Sequence, residues 1–309
     1  GPLKTMEGDQ VTERILIAGA TGYLGRFLVR QAHERGWWVR ALVRRAEGLG
    51  DEADCCDDIF VGQATEDETL EELCDGVDVV ISSLGNRTTR RKPTPMEVDY
   101  AANMNIVRKA ERAGVKHFVF VSVLKGDQMR RRVPQIEARE LVVDELKTSD
   151  MASTIIRPSG FFNDMSEFLD MARNGGALWI PGAGNTSFNP IHGADLAAFT
   201  LDHAGQEASF GGDFSVGGPD IFTVRELGEL ACDVVGCKPR FRRFPAWAMM
   251  GAAAVLAPFN ANLASLIGMI GSLISEDAAT VQFGTHHLRD FFQEIVETET
   301  DQLKIQRGK

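Results

Sequence analysis

With 309 residues, 44% of them hydrophobic and 25% charged, the chain is long enough to bury a full core, as one large domain or as a domain with an attached lobe. A formal net charge of -11 excludes the cationic surface that nucleic-acid phosphates require, so small molecules or other proteins are the expected partners and no nucleic acid. The cysteines Cys55, Cys56, Cys74, Cys232 and Cys237 are odd in number, and neither they nor the six histidines follow zinc-ligand spacing. Reduced thiols and no metal are expected.

Residues 1–4 read as a cloning remnant ahead of Met6, with residues 1–12 a disordered leader. No secretory signal is legible, which predicts a cytoplasmic setting, or an organelle stroma if a transit segment was removed. From residue 13 to residue 158, the apolar runs ILIAG, WVRALV, DIFV, DVVISS, HFVFVS and STIIRP alternate with helix-length segments. That rhythm predicts an α/β domain, a Rossmann-type doubly wound parallel sheet with crossover helices. Thr94, Pro95 and Glu97 form a capping box with proline at the first helical position, and Gly114 ends the same helix. Similar helix starts are read at Thr65 with Glu68 and at Thr223 with Glu226.

Residues 159–298 break into shorter elements and are expected to form a smaller, mostly helical substrate lobe interleaved with the last strands of the core. Residues 299–309 read as a frayed polar tail. Residues 244–275 carry no charge, but Pro258, Asn260 and Asn262 divide them into two runs, each too short to cross a bilayer. Two apolar helices and no transmembrane span are expected, serving as core or dimer contact, as the wall of an apolar pocket, or as a membrane-surface contact. Either a monomer or a homodimer is compatible with that pattern.

The strongest signal is Gly19-Ala20-Thr21-Gly22-Tyr23-Leu24-Gly25, which follows the first apolar strand and opens a helix. Glycines there let the strand turn sharply, let the backbone approach a pyrophosphate and let the helix pack on its strand, while the helix N-terminus supplies amide donors. The second strand ends in Arg44 and Arg45, where a carboxylate would favour NAD. Guanidinium suits a 2'-phosphate, so NADPH is the expected cofactor, with Arg44 its main contact. Ala64 and Thr65, after Gln63, should flank the adenine, and Ser82, Ser83, Leu84 and Gly85 the ribose and pyrophosphate.

The segments GATGYLGR, LVRR, VDYAANMNIVRKAERAGVKHFVFVS, IIRPSGFFNDM, NPIHGADLA and FSVGGPDIFTVRELGELA together resemble the atypical, NmrA-like short-chain dehydrogenases/reductases. The spacing, with the late FGTHHLRDFF, is most similar to the divinyl chlorophyllide 8-vinyl reductase-like branch. The resemblance implies proton transfer by a serine, a tyrosine and a lysine four residues after the tyrosine. Ser122 matches the serine, but Gln135 and Arg139 stand at the other two places. Arg139 would hold the nicotinamide ribose as the lysine does, whereas Gln135 has no proton to give at neutral pH. Ser122 and the residues Arg157, Pro158, Ser159 and Phe161 should border the nicotinamide.

Lys125 is read as an alternative proton donor, its pKa lowered by an apolar pocket, or else as a solvated loop lysine. His192 is read as structural. Arg87, Arg90, Arg91 and Lys92 after the fourth strand, with Lys125, Arg130, Arg131 and Arg132 after the fifth, form a basic rim suited to an anionic substrate or acidic partner, or two solvated loops. The resulting expectation is an NADPH-dependent oxidoreductase acting on an apolar small molecule, anionic if the rim faces it, by double-bond or carbonyl reduction. The alternative is an NADPH-binding redox-sensing, scaffold or assembly protein without turnover.

Overall fold

In a computed structural model that describes residues 12–175 and 177–308, each of the six apolar runs becomes a strand. These are β1 (Arg14–Ala18), β2 (Trp38–Val43), β3 (Asp58–Val61), β4 (Val79–Ser82), β5 (His117–Val121) and β6 (Ala152–Pro158). Two short strands, β7 (Ala177–Pro181) and β8 (Ser187–Phe188), precede β9 (Asp213–Val216), which returns to the sheet. The sheet order is β3-β2-β1-β4-β5-β6-β9, and every pairing in it is parallel. The expected leader, Thr12 apart, lies outside the described residues.

Six helices accompany these strands: α1 (Tyr23–Glu34), α2 (Asn103–Ala113), the single turn α3 (Gly126–Met129), α4 (Pro134–Thr148), α5 (Ser166–Arg173) and α6 (Gly193–His203). Because successive strand residues face opposite ways, Ile15 and Ile17 join Leu28 of α1 and Leu201 of α6 in one core, while Leu16 and Ala18 join Val107 of α2 and Val142 of α4 in another. With both faces covered, the strands can be continuously apolar, and all five residues of β5 are buried. Phe118 and Phe120, both fully buried, each contribute about 2–3 kcal/mol of transfer free energy.

After β9 come β10 (Phe222–Thr223), α7 (Val224–Val235), β11 (Arg240–Phe244), α8 (Ala246–Leu256), α9 (Ala261–Ser275) and α10 (Leu288–Arg307). Phe162, Phe188, Leu227 and Phe292 gather the lobe around its own core, and two strand pairs, β11 with β7 and β10 with β8, stiffen it.

The Thr94–Glu97 box forms reciprocally, Glu97 N donating to Thr94 Oγ1 at 3.2 Å and Thr94 N to Glu97 Oε2 at 3.3 Å. The helix it opens is widened to a π-type turn over Met96–Ala102. Gly114 closes α2 in the left-handed region, φ 71°, and Thr223 caps α7 through Glu226 N. Two local expectations are corrected. Thr65 opens no helix, because the Thr69 hydroxyl folds the segment back onto Gln63 and Glu66 and leaves a short 3-10 turn over Asp67–Leu70. The segment read as a polar tail is helical through Arg307, where Glu299 of α10 pairs with Arg173.

His117, fully buried in β5, accepts a hydrogen bond at Nδ1 from Gly205 N and lies 2.7 Å from Thr154 Oγ1 through Nε2. Thr154 in turn donates to Ser209 O, so Nε2 carries the single proton and the ring has no site for a second. Burial lowers its pKa from 6.5 to about 4. As pH falls through that interval the unfolded chain takes up a proton that the folded chain refuses, so stability is full above pH 6.5 and declines toward pH 4. Urea midpoints measured across that range should fall more steeply for the wild type than for His117→Gln, which cannot titrate.

Candidate functional site

Chain order turns back between β1 and β4, which lie side by side, so a crevice opens past their carboxyl ends. Its floor is the turn over residues 19–25. Gly19 sits at φ +80°, and a Cβ there would lie 2.9 Å from Leu84 N and Ser83 Oγ. Gly22 N closes the turn on Gly19 O at 3.0 Å. A Cβ on Gly25 would fall 1.9 Å from Gly19 O, so only glycine lets α1 start this close to its strand. The N-terminus of α1 has no side-chain cap and no acid in its first turn. Its amides and partial positive charge are therefore left for an anion.

Leu24 is buried with the core, whereas Thr21 is exposed. Tyr23 is half-buried, its ring against Phe27 and Phe161 and its hydroxyl accepting from Gly193 N. Burial raises its pKa above the ordinary phenol value, and it acts as a latch between the turn and α6. Arg26, which the sequence reading did not single out, donates to Thr21 O, Gly48 O and Leu49 O and pairs with Glu52. It thereby draws the loop after β2 onto the turn. Arg44 and Arg45 begin that loop, exposed, and neither side chain has a hydrogen-bond or ion-pair partner among the described residues.

Ala64 is buried, its carbonyl held by Asn105 Nδ2 at 2.9 Å, beside exposed Thr65. Ser83, Leu84 and Gly85 are half-buried along the crevice. Ser82 is corrected: its hydroxyl, fully buried, donates to Asn103 Oδ1 at 2.6 Å and supports the floor from beneath instead of lining it.

Arg139 and Gln135 stand one turn apart on α4 and converge on a residue that the sequence reading missed. Arg139 Nε lies 3.1 Å from Asp99 Oδ1, and its Nη1 donates to Val121 O at 2.8 Å. Gln135 Nε2 donates to Asn86 O at 2.7 Å and to Asp99 Oδ1 at 3.2 Å. Asp99 is fully buried on the π-type turn, and its Oδ2 has no hydrogen-bond partner. Burial pushes its carboxyl above the usual carboxylate range, against the pull of the Arg139 guanidinium. Gly85 makes room for that guanidinium, since a Cβ there would lie 1.8 Å from Arg139 Nη2. The arginine head group therefore packs directly against Gly85 at the edge of the crevice.

Ser122 and Arg157 belong to a buried polar chain, which removes their side chains from the roles expected of them. Ser122 Oγ donates to Glu140 Oε2 at 2.6 Å. Arg157 grips both oxygens of Glu140 and pairs with Asp213, which Lys147 also holds. Glu140 follows Arg139 on α4, about 100° around the helix, and reaches Ser122 where Arg139 reaches Val121 O. The Asp213 carboxyl is held below the usual range, because the Arg157 and Lys147 charges outweigh partial burial.

Lys125 is likewise corrected as an acid in an apolar pocket. It adopts φ 55°, and its Nζ donates to Asp277 O at 2.6 Å, linking the fifth-strand loop to the lobe. Pro158 and Ser159 are buried, with Ser159 Oγ donating to Asn189 O, while Phe161 is half-buried beside Tyr23. His192 is structural: its Nδ1 accepts from Ala194 N, capping α6, and its ring stacks on His286 at 4.2 Å. Within the basic rim, Arg130 is bound to Glu137 and Asp144, whereas Arg90, Arg91, Lys92, Arg131 and Arg132 are exposed. Among the described residues no cluster of His, Cys, Asp and Glu could hold a metal.

Hollows of ≈ 500 and ≈ 590 Å³ lie elsewhere, one lined by Glu226 and Asp233, the other at the amino ends of β1 and β2 by Arg14 and Trp38. Neither sits where strand ends and a free helix N-terminus meet, so donor chemistry, not concavity, marks the site.

A profile described as NAD(P)H-binding matches residues 19–204. The chloroplastic divinyl chlorophyllide a 8-vinyl-reductase of Arabidopsis thaliana is 27% identical over 320 aligned positions, covering 91% of this chain and 76% of the relative. The photosystem II assembly factor Ycf39 of Synechocystis sp. is 26% identical over 75% of this chain and 71% of its own length. Among solved structures, the NADPH-dependent quinone oxidoreductase QOR2 of Escherichia coli, complexed with NADPH, superposes with a TM-score of 0.70 at 18% identity, covering 91% of this chain and 99% of that one. The fold and the glycine turn thus meet in one conclusion: the chain belongs to the NAD(P)H-binding family, in the atypical, NmrA-like branch of the short-chain dehydrogenases/reductases.

Proposed function

We propose that the protein is an NADPH-dependent reductase of an apolar small molecule, anionic if the exposed arginines of the rim meet it, that reduces a carbon–carbon double bond or a carbonyl without a catalytic tyrosine. The observation that carries this reading is the pairing of an uncapped α1 N-terminus with the unpartnered Arg44 and Arg45 on the loop held against it. The amides suit the pyrophosphate and a guanidinium suits the 2'-phosphate. NADPH, when bound, supplies a hydride equivalent.

The chain's own contribution is position. Arg139, held by Asp99 and Val121 O, presents its remaining donors beside Gly85, where a ribose hydroxyl would accept them. Gln135, committed to Asn86 O, shapes the same end and moves no proton. Phe161 and Tyr23 give it an apolar wall. Two consequences are testable. Arg44→Ala should weaken NADPH binding about tenfold, the loss of one charge-assisted phosphate contact, while leaving NADH affinity unchanged, as read by calorimetric titration. Purified protein should consume NADPH with at least one member of a panel of quinones, enones and vinyl-bearing tetrapyrroles; the last is suggested by the vinyl-reductase relative.

A second reading, a regulatory or assembly protein that binds NADPH without turnover, is favoured by the commitment of Ser122 to Glu140 and by the assembly-factor relative. No NADPH consumption across the whole panel would select it.

A further inference from the structure

We propose that the α8–α9 hairpin docks the protein on an anionic lipid surface. Between Asp233 and Glu276 the chain contains no acid, and between Phe244 and Ser275 no charge of either sign. An uncharged helix of this kind is normally buried on all sides. Here only Ala253 of α8 is buried, on the side that meets α9, where Gly268 and Gly271 allow close approach to Ala253 and Met250. The other side of the hairpin faces outward with Trp247 at 75%, Val255 at 70% and Phe259 at 69% exposure, joined by Leu266 and Ile270 of α9. These are large apolar side chains exposed on one hairpin of an acidic protein, and exposed apolar surface of this kind marks an interaction site.

The charges around it select the partner. At the turn between the two helices, Asn260 Nδ2 donates to Thr89 O and Asn262 Nδ2 to Arg90 O and Pro93 O, fixing the loop that bears Arg90, Arg91 and Lys92 beside Phe259. At the opposite end, β11 feeds directly into α8 and carries Arg240, Arg242 and Arg243, all exposed. Along the α4 side, Arg132 O lies beside Gly268, next to exposed Arg131 and Arg132. An apolar strip with cations at both ends and along one flank has the chemistry of an interfacial helix lying in anionic headgroups.

The helices are about 16 and 22 Å long at roughly 1.5 Å per residue, and no described helix is long and apolar enough to cross a membrane, so the hairpin lies in the surface. A two-fold contact between copies would bring one cationic end against the other, which disfavours a second copy as the occupant.

The full chain is mixed with vesicles of equal parts phosphatidylglycerol and phosphatidylcholine, and with phosphatidylcholine alone, and followed by flotation and tryptophan emission. Binding is expected to the anionic vesicles only, with a blue shift and quenching by brominated acyl chains that Trp247→Phe removes. Phe259→Glu should lower partitioning at least tenfold while NADPH affinity, which reports the fold, stays unchanged. Reversing Arg90, Arg91 and Lys92 to glutamate should lower it by more than the roughly fivefold that loss of one headgroup-facing cation costs. The proposal is overturned if the wild type ignores anionic vesicles, if Phe259→Glu still binds them as well, or if the chain is a dimer that binds no vesicle and that Phe259→Glu splits. In that last case the face belongs to a second copy.

Discussion

Replacing Gly25 by alanine is expected to abolish binding of NADPH and NADH alike, with a loss of stability at the upper end of the about 1–3 kcal/mol typical of overpacking. The added methyl would sit 1.9 Å from Gly19 O, 2.7 Å from Gly19 C and 2.8 Å from Ala20 Cα. All three are backbone atoms at the tightest point of the turn, and none can swing aside as a flexible side chain would. Relief requires α1 to withdraw from β1, which pulls its free amides away from the crevice and opens the core around Leu24 and Leu28. Gly85→Ala provides the comparison. Its methyl meets the end of the Arg139 side chain, which can move, so that variant should fold normally and bind dinucleotide more weakly. Calorimetric titration together with urea unfolding distinguishes the two outcomes; near-native binding by Gly25→Ala would contradict the turn's assigned role.

Glu140→Ala should cost about 3 kcal/mol or more, because removing one member of a buried ion pair leaves the other's charge uncompensated. The Arg157 side chain is 6% exposed and that of Glu140 2%, and Glu140 is also the acceptor for the buried Ser122 hydroxyl. Asp213 softens the loss by keeping its own contact with Arg157. Glu140→Gln, which preserves much of the hydrogen bonding without the charge, should lose less. A joint Glu140→Leu, Arg157→Met replacement should recover most of the stability, since Asp213 stays paired with Lys147. Chemical denaturation of the three variants checks the order. A large loss of NADPH affinity in the joint variant would show instead that the pair acts in the site and not in the fold.

The sheet was legible because a parallel sheet covered on both faces needs unbroken apolar strands, so runs such as HFVFV and ILIA announce themselves. The glycine turn was equally legible, since steric demand at Gly19 and Gly25 is a property of residue type. The exposure of Arg44 could be read for the same reason, as it follows from its place just past the end of β2.

What escaped the sequence were partnerships across long separations. The Ser122 hydroxyl is engaged by Glu140, eighteen positions away, which accepts its hydrogen bond. Arg157 is consumed by Glu140 and Asp213, and Lys125 by a carbonyl 152 positions on. Asp99 gave no warning, because a lone acid on a helix pattern reads as solvated; only its burial against Arg139 and Gln135 distinguishes it. The uncharged segment split into two helices as its proline and asparagines implied. That α8 would leave most of its surface exposed depends on tertiary packing, which periodicity does not encode.

The proposed dinucleotide sits at the N-terminus of α1, with Arg44 and Arg45 against its 2'-phosphate. Side-by-side calorimetric titration of the wild-type chain with NADPH and NADH tests this most directly. Saturable one-to-one binding of NADPH, at least tenfold tighter than that of NADH, is the predicted result. Equal affinity for the two, or heat from neither, would contradict it.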